Sequence, residues 1–290
     1  MTQPYAQLLE GKPLALQMQA ELKAQIEALQ KRGISLKMVT LEVGADASSK
    51  VYVKRQGDAC RKVGIVHEVL SLPTETTQAQ LETQIEALNR DPAVSGLILQ
   101  LPLPAHLASS AAQEHIEPSK DVEGVHPENL GRLLSGIPAC APATALSAFH
   151  LIKAGVGGPL RGKQAVVVGR SQIVGRPLAL MLLSESCTVT VCHTGTKDLK
   201  AECLRAEILA VAVGKAGLVT GEMVRPGAVV VDVGTNSVEV AGKWTLTGDV
   251  DFASAKLRAG RITPVPGGVG PLTVMMLLRN LVLSAEKRAG

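Results

Sequence analysis

Four short apolar segments in the second half of the chain most constrain its fold. They cover residues 164–168, 188–192, 208–213 and 228–233, and helical or turn-forming stretches separate them. Unbroken apolar strands of this length are typical of a parallel sheet that is covered on both faces. Their alternation with helical stretches predicts an open sheet of the dinucleotide-binding type.

The first half of the chain alternates in the same way, which makes the whole chain an α/β protein. Outside the four segments, helices are predicted over residues 11–32, 48–63, 77–89, 145–154 and 274–288, and strands over residues 36–43, 67–72 and 96–101.

Between the two halves the pattern is interrupted. Residues 116–143 are interpreted as loops and short turns, and a Gly/Pro-rich linker follows at residues 155–159. We therefore predict two domains, one of residues 1–145 and 272–290 and the other, Rossmann-like, of residues 146–271.

Composition argues against several classes of protein. A net charge of +4 with only two Phe, two Tyr and one Trp offers little for stacking on bases, so nucleic-acid binding is not expected. The longest apolar runs fall short of the roughly 20 residues that cross a bilayer, so no membrane contact is expected. The first five residues lack the features of a secretory signal, which favours the cytoplasm. Five cysteines without a Cys-x-x-Cys pair indicate no metal site.

A glycine loop follows the first of the four apolar segments. Gly169 and Gly175 flank it, and a helix is predicted to start at its end. Glycines allow close backbone approach, and free N–H groups at a helix N-terminus can bind phosphate. Because Gly-x5-Gly differs from the common Gly-x-Gly-x-x-Gly, a plain strand-to-helix turn explains the glycines equally well.

The end of the second segment indicates which nucleotide such a loop would bind. Residues 192–196 contain no Asp or Glu that could bind a ribose 2′-hydroxyl. His193 and Thr194, together with Arg170, would instead accommodate a 2′-phosphate. The pattern favours NADP over NAD, although these residues could also simply end a strand.

A third feature is the dense run of Pro and Gly in residues 262–273, which leads into the last predicted helix. Its first half contains Pro264 and Pro266 and is stiff, whereas Gly267, Gly268 and Gly270 leave the second half almost free of side chains. Such a backbone suits close contact with a flat ligand.

These motifs together resemble the bifunctional methylenetetrahydrofolate dehydrogenase/cyclohydrolase family, known in bacteria as FolD. The matching segments, in order, are residues 51–53, 100–104, 120–124, 131–133, 169–177, 212–215 and 264–271. The resemblance implies an N-terminal α/β domain for the substrate and a Rossmann-like NADP-binding domain. It also implies a cleft between them, a C-terminal helix packing back on the first domain, and a homodimer.

The resemblance also assigns roles to residues. The implied catalytic positions are Tyr52, Gln56, Gln100 and Glu123. The implied substrate-binding residues are Tyr52, Gln100, Asp121, Glu123, Pro264 and Gly268. The implied cofactor-binding residues are Gly169, Arg170, Ser171, Ile173, His193, Thr194, Val213, Gly214, Thr235 and Thr273.

Four positions depart from the family pattern. Gln56 stands where the family has its catalytic lysine, and Glu123 stands where it has a pterin-binding aspartate. Ala141 replaces a threonine, and Thr235 replaces an isoleucine beside the cofactor. The helical positions of the neighbouring Lys54 and Arg55 point away from the face of residue 56, so neither is expected to replace the lysine.

The departures decide the predicted function. Oxidation of a methylene bridge depends mainly on geometry, whereas hydrolysis of the methenyl product needs a general acid/base, which a carboxamide is not. We predict an NADP-dependent methylenetetrahydrofolate dehydrogenase whose cyclohydrolase activity is lost or very weak. Two alternatives stay open: an NADPH-dependent enzyme acting on a non-folate cyclic imine or iminium, and a non-enzymatic binding subunit.

Overall fold

The computed structural model describes residues 5–44, 47–137, 140–240 and 242–289. The chain forms two compact units. One, here called the six-stranded unit, consists of the segment up to Ala15 and of Thr144–Thr273. The other, the three-stranded unit, consists of Leu16–Ala143 and the segment from Val274 onwards. Residues 1–4 of the predicted first domain, and residues 138 and 139 of the predicted loop region, lie outside the described residues.

The three-stranded unit is built on a parallel sheet in the order β3-β2-β4. Its strands are β2 (Lys37–Val43), β3 (Val66–Leu72) and β4 (Gly96–Leu99). The helices of this part of the chain are α1 (Gly11–Lys31), α2 (Ala47–Val63), α3 (Gln78–Arg90), α4 (Ser109–Glu114) and α5 (Pro127–Leu134). The middle strand β2 is almost wholly buried because it has a neighbour on each side. Its side chains Val39, Leu41 and Val43 form one core with β4 and α3.

The C-terminal helix α10 (Gly270–Ala289) is hydrogen-bonded to the loops of this unit. Asn280 is fully buried, and its Nδ2 donates to the carbonyl oxygens of Val122, at 2.8 Å, and Ala141, at 2.9 Å. The helix therefore packs on elements of the first half of the chain, as the resemblance implied.

The six-stranded unit contains a parallel sheet in the order β1-β11-β8-β7-β5-β6. The strands are β1 (Gln7–Leu8), β5 (Gln164–Val168), β6 (Thr188–Cys192), β7 (Ile208–Val211), β8 (Val229–Asp232) and β11 (Arg261–Ile262). The connecting helices are α6 (Ala143–Val156), α7 (Gly175–Ser184), α8 (Leu199–Arg205), a 3₁₀ turn (Gly221–Met223) and α9 (Phe252–Ala255). The predicted α/β fold class with a doubly covered, Rossmann-like sheet is confirmed.

Three features differ from the sequence prediction. The segment up to Ala15 belongs to the six-stranded unit, because β1 pairs with β11 through Gln7↔Arg261 and Leu8↔Ile262. Helix α5 lies in the region predicted as loops, and the His126 Nδ1 atom caps it by accepting from Glu128 N at 3.0 Å. An antiparallel hairpin of β9 (Asn236–Val240) and β10 (Lys243–Thr247) was not predicted. No helix in the described residues is long and apolar enough to span a membrane.

Candidate active site

The α2 helix carries Tyr52 and Gln56 four residues apart, on one face. Gln56 is fully buried, and its Oε1 accepts from the Thr40 hydroxyl at 3.0 Å. Its Nε2 is also buried and has no hydrogen-bond partner among the described residues. Lys54 and Arg55 are exposed. The carboxamide is thus the group that α2 turns inward at this point.

Thr40 connects Gln56 to a histidine that sequence analysis missed. The Thr40 Oγ1 atom, on β2, lies 2.9 Å from Nε2 of His67 on β3. Burial lowers the pKa of His67, so the ring is neutral near pH 7. Gly57 leaves room for it, because a Cβ at that position would lie 2.9 Å from His67 Nδ1. A glycine in the middle of a helix costs about 1 kcal/mol relative to alanine and was the available signal of this close approach.

Glu123 and Tyr52 both have raised pKa values, and the Glu123 charge contributes to the shift of Tyr52. Burial and the nearby Asp121 raise the pKa of Glu123 to about 8, so its carboxyl group is mostly protonated at neutral pH. Burial and the Glu123 charge raise the pKa of Tyr52 to about 12, and the Gln56 amide opposes this shift. The structure therefore brings together three of the four predicted catalytic side chains, Tyr52, Gln56 and Glu123.

Asp121 is bonded within its own loop. It is buried, and its carboxylate accepts from Gly124 N at 3.0 Å, His126 N at 2.8 Å and Asn129 Nδ2 at 3.0 Å. These bonds shape the backbone around Glu123. That Asp121 also binds substrate stays a prediction.

Gln100, the fourth predicted catalytic residue, directly follows β4. Its Nε2 donates to the Leu101 carbonyl oxygen at 2.8 Å, and its Oε1 is buried without a partner among the described residues. Its backbone N–H donates to Leu41 O at 2.8 Å, next to Thr40 on β2. Two predicted catalytic amides, those of residues 56 and 100, therefore each keep one unpaired buried polar atom.

All the predicted cofactor residues lie in the six-stranded unit, and all except Thr273 lie at the carboxyl edge of its sheet. The hydroxyl of Thr273 donates to Val269 O at 3.4 Å within the first turn of α10. The others follow four strands: Gly169, Arg170, Ser171 and Ile173 after β5, His193 and Thr194 after β6, Val213 and Gly214 after β7, and Thr235 after β8. Ligands of open α/β sheets bind at this edge.

The segment around Pro264 and Gly268 follows β11 at the same edge. Gly268 N donates to Pro264 O at 2.8 Å, and Gly11 N donates to Gly267 O at 2.9 Å. A Cβ at Gly11 would lie 1.9 Å from Gly268 O, so the start of α1 holds this backbone closely. Pro264 and Gly268, predicted to bind substrate, belong to the six-stranded unit, unlike the other predicted substrate residues.

The loop after β5 departs from one expectation. Gly169 has a φ of +120°, and a Cβ there would lie 2.1 Å from Ala212 O, so no other residue fits without strain. The N–H groups that start α7 are not free, however. Ser171 accepts from Gly175 N through its hydroxyl and from Arg176 N through its carbonyl, and Pro177 has no N–H. The first N–H groups of α7 are therefore not available to an anion.

The ends of β5 and β6 supply polar side chains instead. The register Val168↔Cys192 places Arg170 beside Thr194, and Arg170, His193 and Thr194 are all exposed. His193 Nδ1 accepts from Gly195 N at 3.0 Å, so the proton of the neutral ring is on Nε2, which makes that nitrogen a donor. A cation, an imidazole N–H and a hydroxyl, with no acidic residue among them, fit a ribose 2′-phosphate.

Two buried aspartates, which sequence analysis missed, hold the loops after β7 and β8. Asp249 accepts from Val213 N at 2.6 Å, Gly214 N at 3.0 Å and Lys215 N at 2.8 Å. Asp232 accepts from the N–H groups of residues 234, 249 and 250, and burial raises its pKa to about 6. These carboxylates fix the loops that present Thr235 and the predicted residues Val213 and Gly214.

Comparison with known proteins identifies the family. Residues 9–123 match the tetrahydrofolate dehydrogenase/cyclohydrolase catalytic domain, and residues 142–289 match the NAD(P)-binding domain of the same enzymes. The chain belongs to the tetrahydrofolate dehydrogenase/cyclohydrolase family. The family resemblance read from the motifs is confirmed, and with it the assignment of the chain as an enzyme of the dehydrogenase type.

Individual members of the family match over the full chain. The bifunctional protein FolD of Moorella thermoacetica is 48% identical over 283 residues, which cover 97% of this chain and 99% of that protein. The crystal structure of the FolD methylenetetrahydrofolate dehydrogenase/cyclohydrolase of Campylobacter jejuni has a TM-score of 0.92 and 43% identity, and covers 98% of this chain and 99% of its own. That of Trypanosoma brucei FolD, complexed with NADP cofactor and inhibitor, has a TM-score of 0.91 and 38% identity, with 99% of each chain covered.

Proposed function

We propose that this chain is an NADP-dependent methylenetetrahydrofolate dehydrogenase whose cyclohydrolase activity is lost or very weak. One observation carries the proposal. The side chain buried beside Tyr52 and directed inward from α2 is the Gln56 carboxamide, which neither takes up nor releases a proton near neutral pH.

The residues present suffice for the oxidation step. NADP, when bound, supplies the hydride acceptor. Arg170, His193 and Thr194 would bind its 2′-phosphate. Tyr52 would border the pterin ring and Glu123 would contact it, so that the chain contributes orientation and exclusion of water rather than proton transfer.

The hydrolytic step needs a group that deprotonates water, work worth about 10²–10⁴-fold in rate. Gln56 cannot do it, and Lys54 and Arg55 are exposed. Glu123, with a pKa of about 8, is the titratable carboxyl group near Tyr52. We expect it to contact the pterin, and its role in any residual hydrolysis can be measured separately.

The test is a pair of assays on the purified protein. With methylenetetrahydrofolate and NADP, the wild type should form NADPH; with methenyltetrahydrofolate, it should hydrolyse no faster than the buffer. Gln56→Lys should raise hydrolysis by about 10²-fold, whereas the matched variant Gln56→Met should not. Wild-type hydrolysis that falls in Gln56→Ala or in Glu123→Gln would contradict the proposal.

The same assays separate the dehydrogenase from its alternatives. If NADPH binds but methylenetetrahydrofolate gives no NADPH formation, the cyclic imine or iminium hypothesis replaces this one. If NADP(H) fails to bind in a fluorescence titration, the non-enzymatic hypothesis replaces it.

We also propose that the enzyme is a cytoplasmic homodimer. All five cysteines are buried and unpaired, which suits a reducing compartment. The β9–β10 hairpin exposes Trp244 and Leu246, which are 73% and 47% accessible and which a second copy could cover. Analytical ultracentrifugation of the wild type and of Trp244→Lys tests this; a monomeric wild type at micromolar concentration contradicts it.

A further inference from the structure

The Thr40 hydroxyl lies between two polar partners, the Gln56 oxygen, which can only accept a hydrogen bond, and a His67 nitrogen, whose role depends on the tautomer. Its Oγ1 lies 3.0 Å from Gln56 Oε1 and 2.9 Å from His67 Nε2. A hydroxyl has one proton, so when Thr40 donates to the Gln56 oxygen it must accept from His67. The direction of one hydrogen bond therefore sets the direction of the next.

The histidine can satisfy that requirement in only one neutral tautomer, with the proton on Nε2. Its other nitrogen, Nδ1, lies against Gly57, where even a Cβ would come within 2.9 Å, and no acceptor for Nδ1 is found in the described part of the chain. A proton on Nδ1 would therefore find no acceptor among the described residues, whereas a proton on Nε2 has the Thr40 oxygen at 2.9 Å. The hydrogen-bond partners thus favour the tautomer that donates to Thr40.

The opposite end of the chain of hydrogen bonds is the unpaired Gln56 Nε2. With Oε1 held by Thr40, the N–H groups are the part of the carboxamide left to act on Tyr52, four residues earlier on the same helix face, and the Gln56 side chain does oppose the rise in the Tyr52 pKa. Gln56 is completely buried, whereas the Tyr52 side chain is partly accessible. Any effect of the carboxamide on a bound substrate would therefore pass through the Tyr52 hydroxyl.

We propose that Thr40 and His67 are positioning residues that lock the Gln56 carboxamide as a donor toward the Tyr52 oxygen. The Tyr52 proton is then left free for an acceptor on the substrate. The inference rests on the proposed dehydrogenase function for its substrate, but the direction of the hydrogen-bond chain belongs to the free protein. In the reverse direction, the His67 proton is on Nδ1 and the amide is rotated. Gln56 would then present its oxygen and accept a hydrogen bond from the Tyr52 hydroxyl.

The first experiment measures the tautomer directly. The chain contains six histidines, so long-range ¹H–¹⁵N correlation spectra of the wild type, assigned with His67→Gln, can identify the His67 signals. The proposal expects the Nε2–H form at neutral pH. The Nδ1–H form overturns it, and this holds whether or not methylenetetrahydrofolate is the substrate.

The second experiment measures catalysis with methylenetetrahydrofolate and NADP. Thr40→Val keeps the shape but removes the hydroxyl, and should lower kcat/KM about tenfold, while the KM for NADP stays unchanged. Thr40→Ser and His67→Gln keep the required donors, so each should retain most of the wild-type kcat/KM. His67→Leu lacks the donor and should not. Ser71→Ala is the matched control, because it removes the 2.6 Å bond from Ser71 to Glu42 between the same two strands; its kcat/KM should stay within twofold.

A double-mutant cycle checks that the effect passes through the tyrosine. In a Tyr52→Phe background, Thr40→Val should have little further effect on kcat/KM, because the hydroxyl on which the chain ends is absent. Full additivity of the two losses, or equal losses in Thr40→Val and Ser71→Ala, overturns the proposal. If Thr40→Val does not fold, the tautomer measurement still decides it. A wild type without dehydrogenase activity refutes the proposed function instead, and leaves the tautomer result standing.

Discussion

The loops of the six-stranded unit and the Tyr52 region of the three-stranded unit differ in whether their polar groups have hydrogen-bond partners within the protein. In the first, Asp249, Asp232 and Ser171 take up the backbone N–H groups of the loops that carry the cofactor residues. In the second, Gln56 Nε2 and Gln100 Oε1 are buried with no partner in the described structure. A buried polar group without a hydrogen bond costs about 1–3 kcal/mol.

This difference indicates two kinds of binding surface. The cofactor loops are completed by the protein itself, so they should hold their shape before any ligand arrives. The Tyr52 region is incomplete by itself, so it should gain most from a ligand. Four measurements can break or sharpen the contrast.

The largest effect is expected from Asp249→Ala. The substitution leaves three loop N–H groups and the Asn236 amide without their carboxylate acceptor. We expect the free energy of unfolding in urea to fall by about 3–5 kcal/mol and the Kd for NADPH to rise. Asp251→Ala removes a carboxylate that accepts from the Ser254 hydroxyl; it is the control and should cost less than about 1 kcal/mol. Similar losses in both variants would remove the special role of Asp249.

A smaller effect is expected from the pH dependence of Glu123. Its pKa is about 8 in the folded protein against an ordinary 4.5, so the folded state holds the proton more tightly than the unfolded chain. The free energy of unfolding is then greatest below pH 4.5, falls as the pH rises towards 8, and levels off above. We expect the wild type to lose about 3.5 kcal/mol more than Glu123→Gln between pH 5 and 8. Parallel curves for the two proteins would place the Glu123 pKa near its ordinary value.

A substitution of Arg170 tests cofactor binding, and a tenfold change in the KM for NADP is expected. If Arg170 binds the 2′-phosphate, Arg170→Ala should raise the KM for NADP about tenfold, or about 1.4 kcal/mol. The KM for NAD, which lacks that phosphate, should not change. Arg176→Ala is the control, because Arg176 is an exposed arginine in the first turn of α7, directly after the same loop. A KM for NADP that stays constant assigns the phosphate to other residues.

The smallest effect concerns Gly57. Alanine should add about 1 kcal/mol of helix propensity, but in the wild type its Cβ meets His67 at 2.9 Å. We expect Gly57→Ala to be neutral or destabilising alone, and to stabilise the protein by about 1 kcal/mol in a His67→Ala background. Equal effects in both backgrounds would mean that His67 does not pack against Gly57.

The sequence predicted much of the fold because its signals were local. Strands β5 and β6 were predicted with the observed bounds, since β5 is one short, nearly apolar run and β6 a short run of alternating Thr and Val. The cofactor residues could be grouped for the same reason, because parallel strands end at a common edge. Strands β1 and β11 have two residues each, too few to show a period of two.

The missed parts of the site depend on pairs that are distant in sequence. Thr40 and His67 are 27 positions apart, and Asp249 lies 36 positions after Val213. Which of many Thr, His and Asp residues meet depends on the register of strands and on the docking of α2, neither of which a local pattern records. Gly57 alone gave a local sign that something large lies against the helix.

The pairing of β1 with β11 has a consequence for how the protein is made. Its partners, Gln7 and Arg261, are separated by nearly the entire polypeptide, so the six-stranded sheet cannot be finished until the ribosome has released most of the chain. Residues 16–143 emerge before most of the six-stranded unit, yet their unit too is complete only when its last helix has been made. Because each unit is assembled from two separate stretches, no single cut yields an intact half, and long-range closure of this kind slows folding.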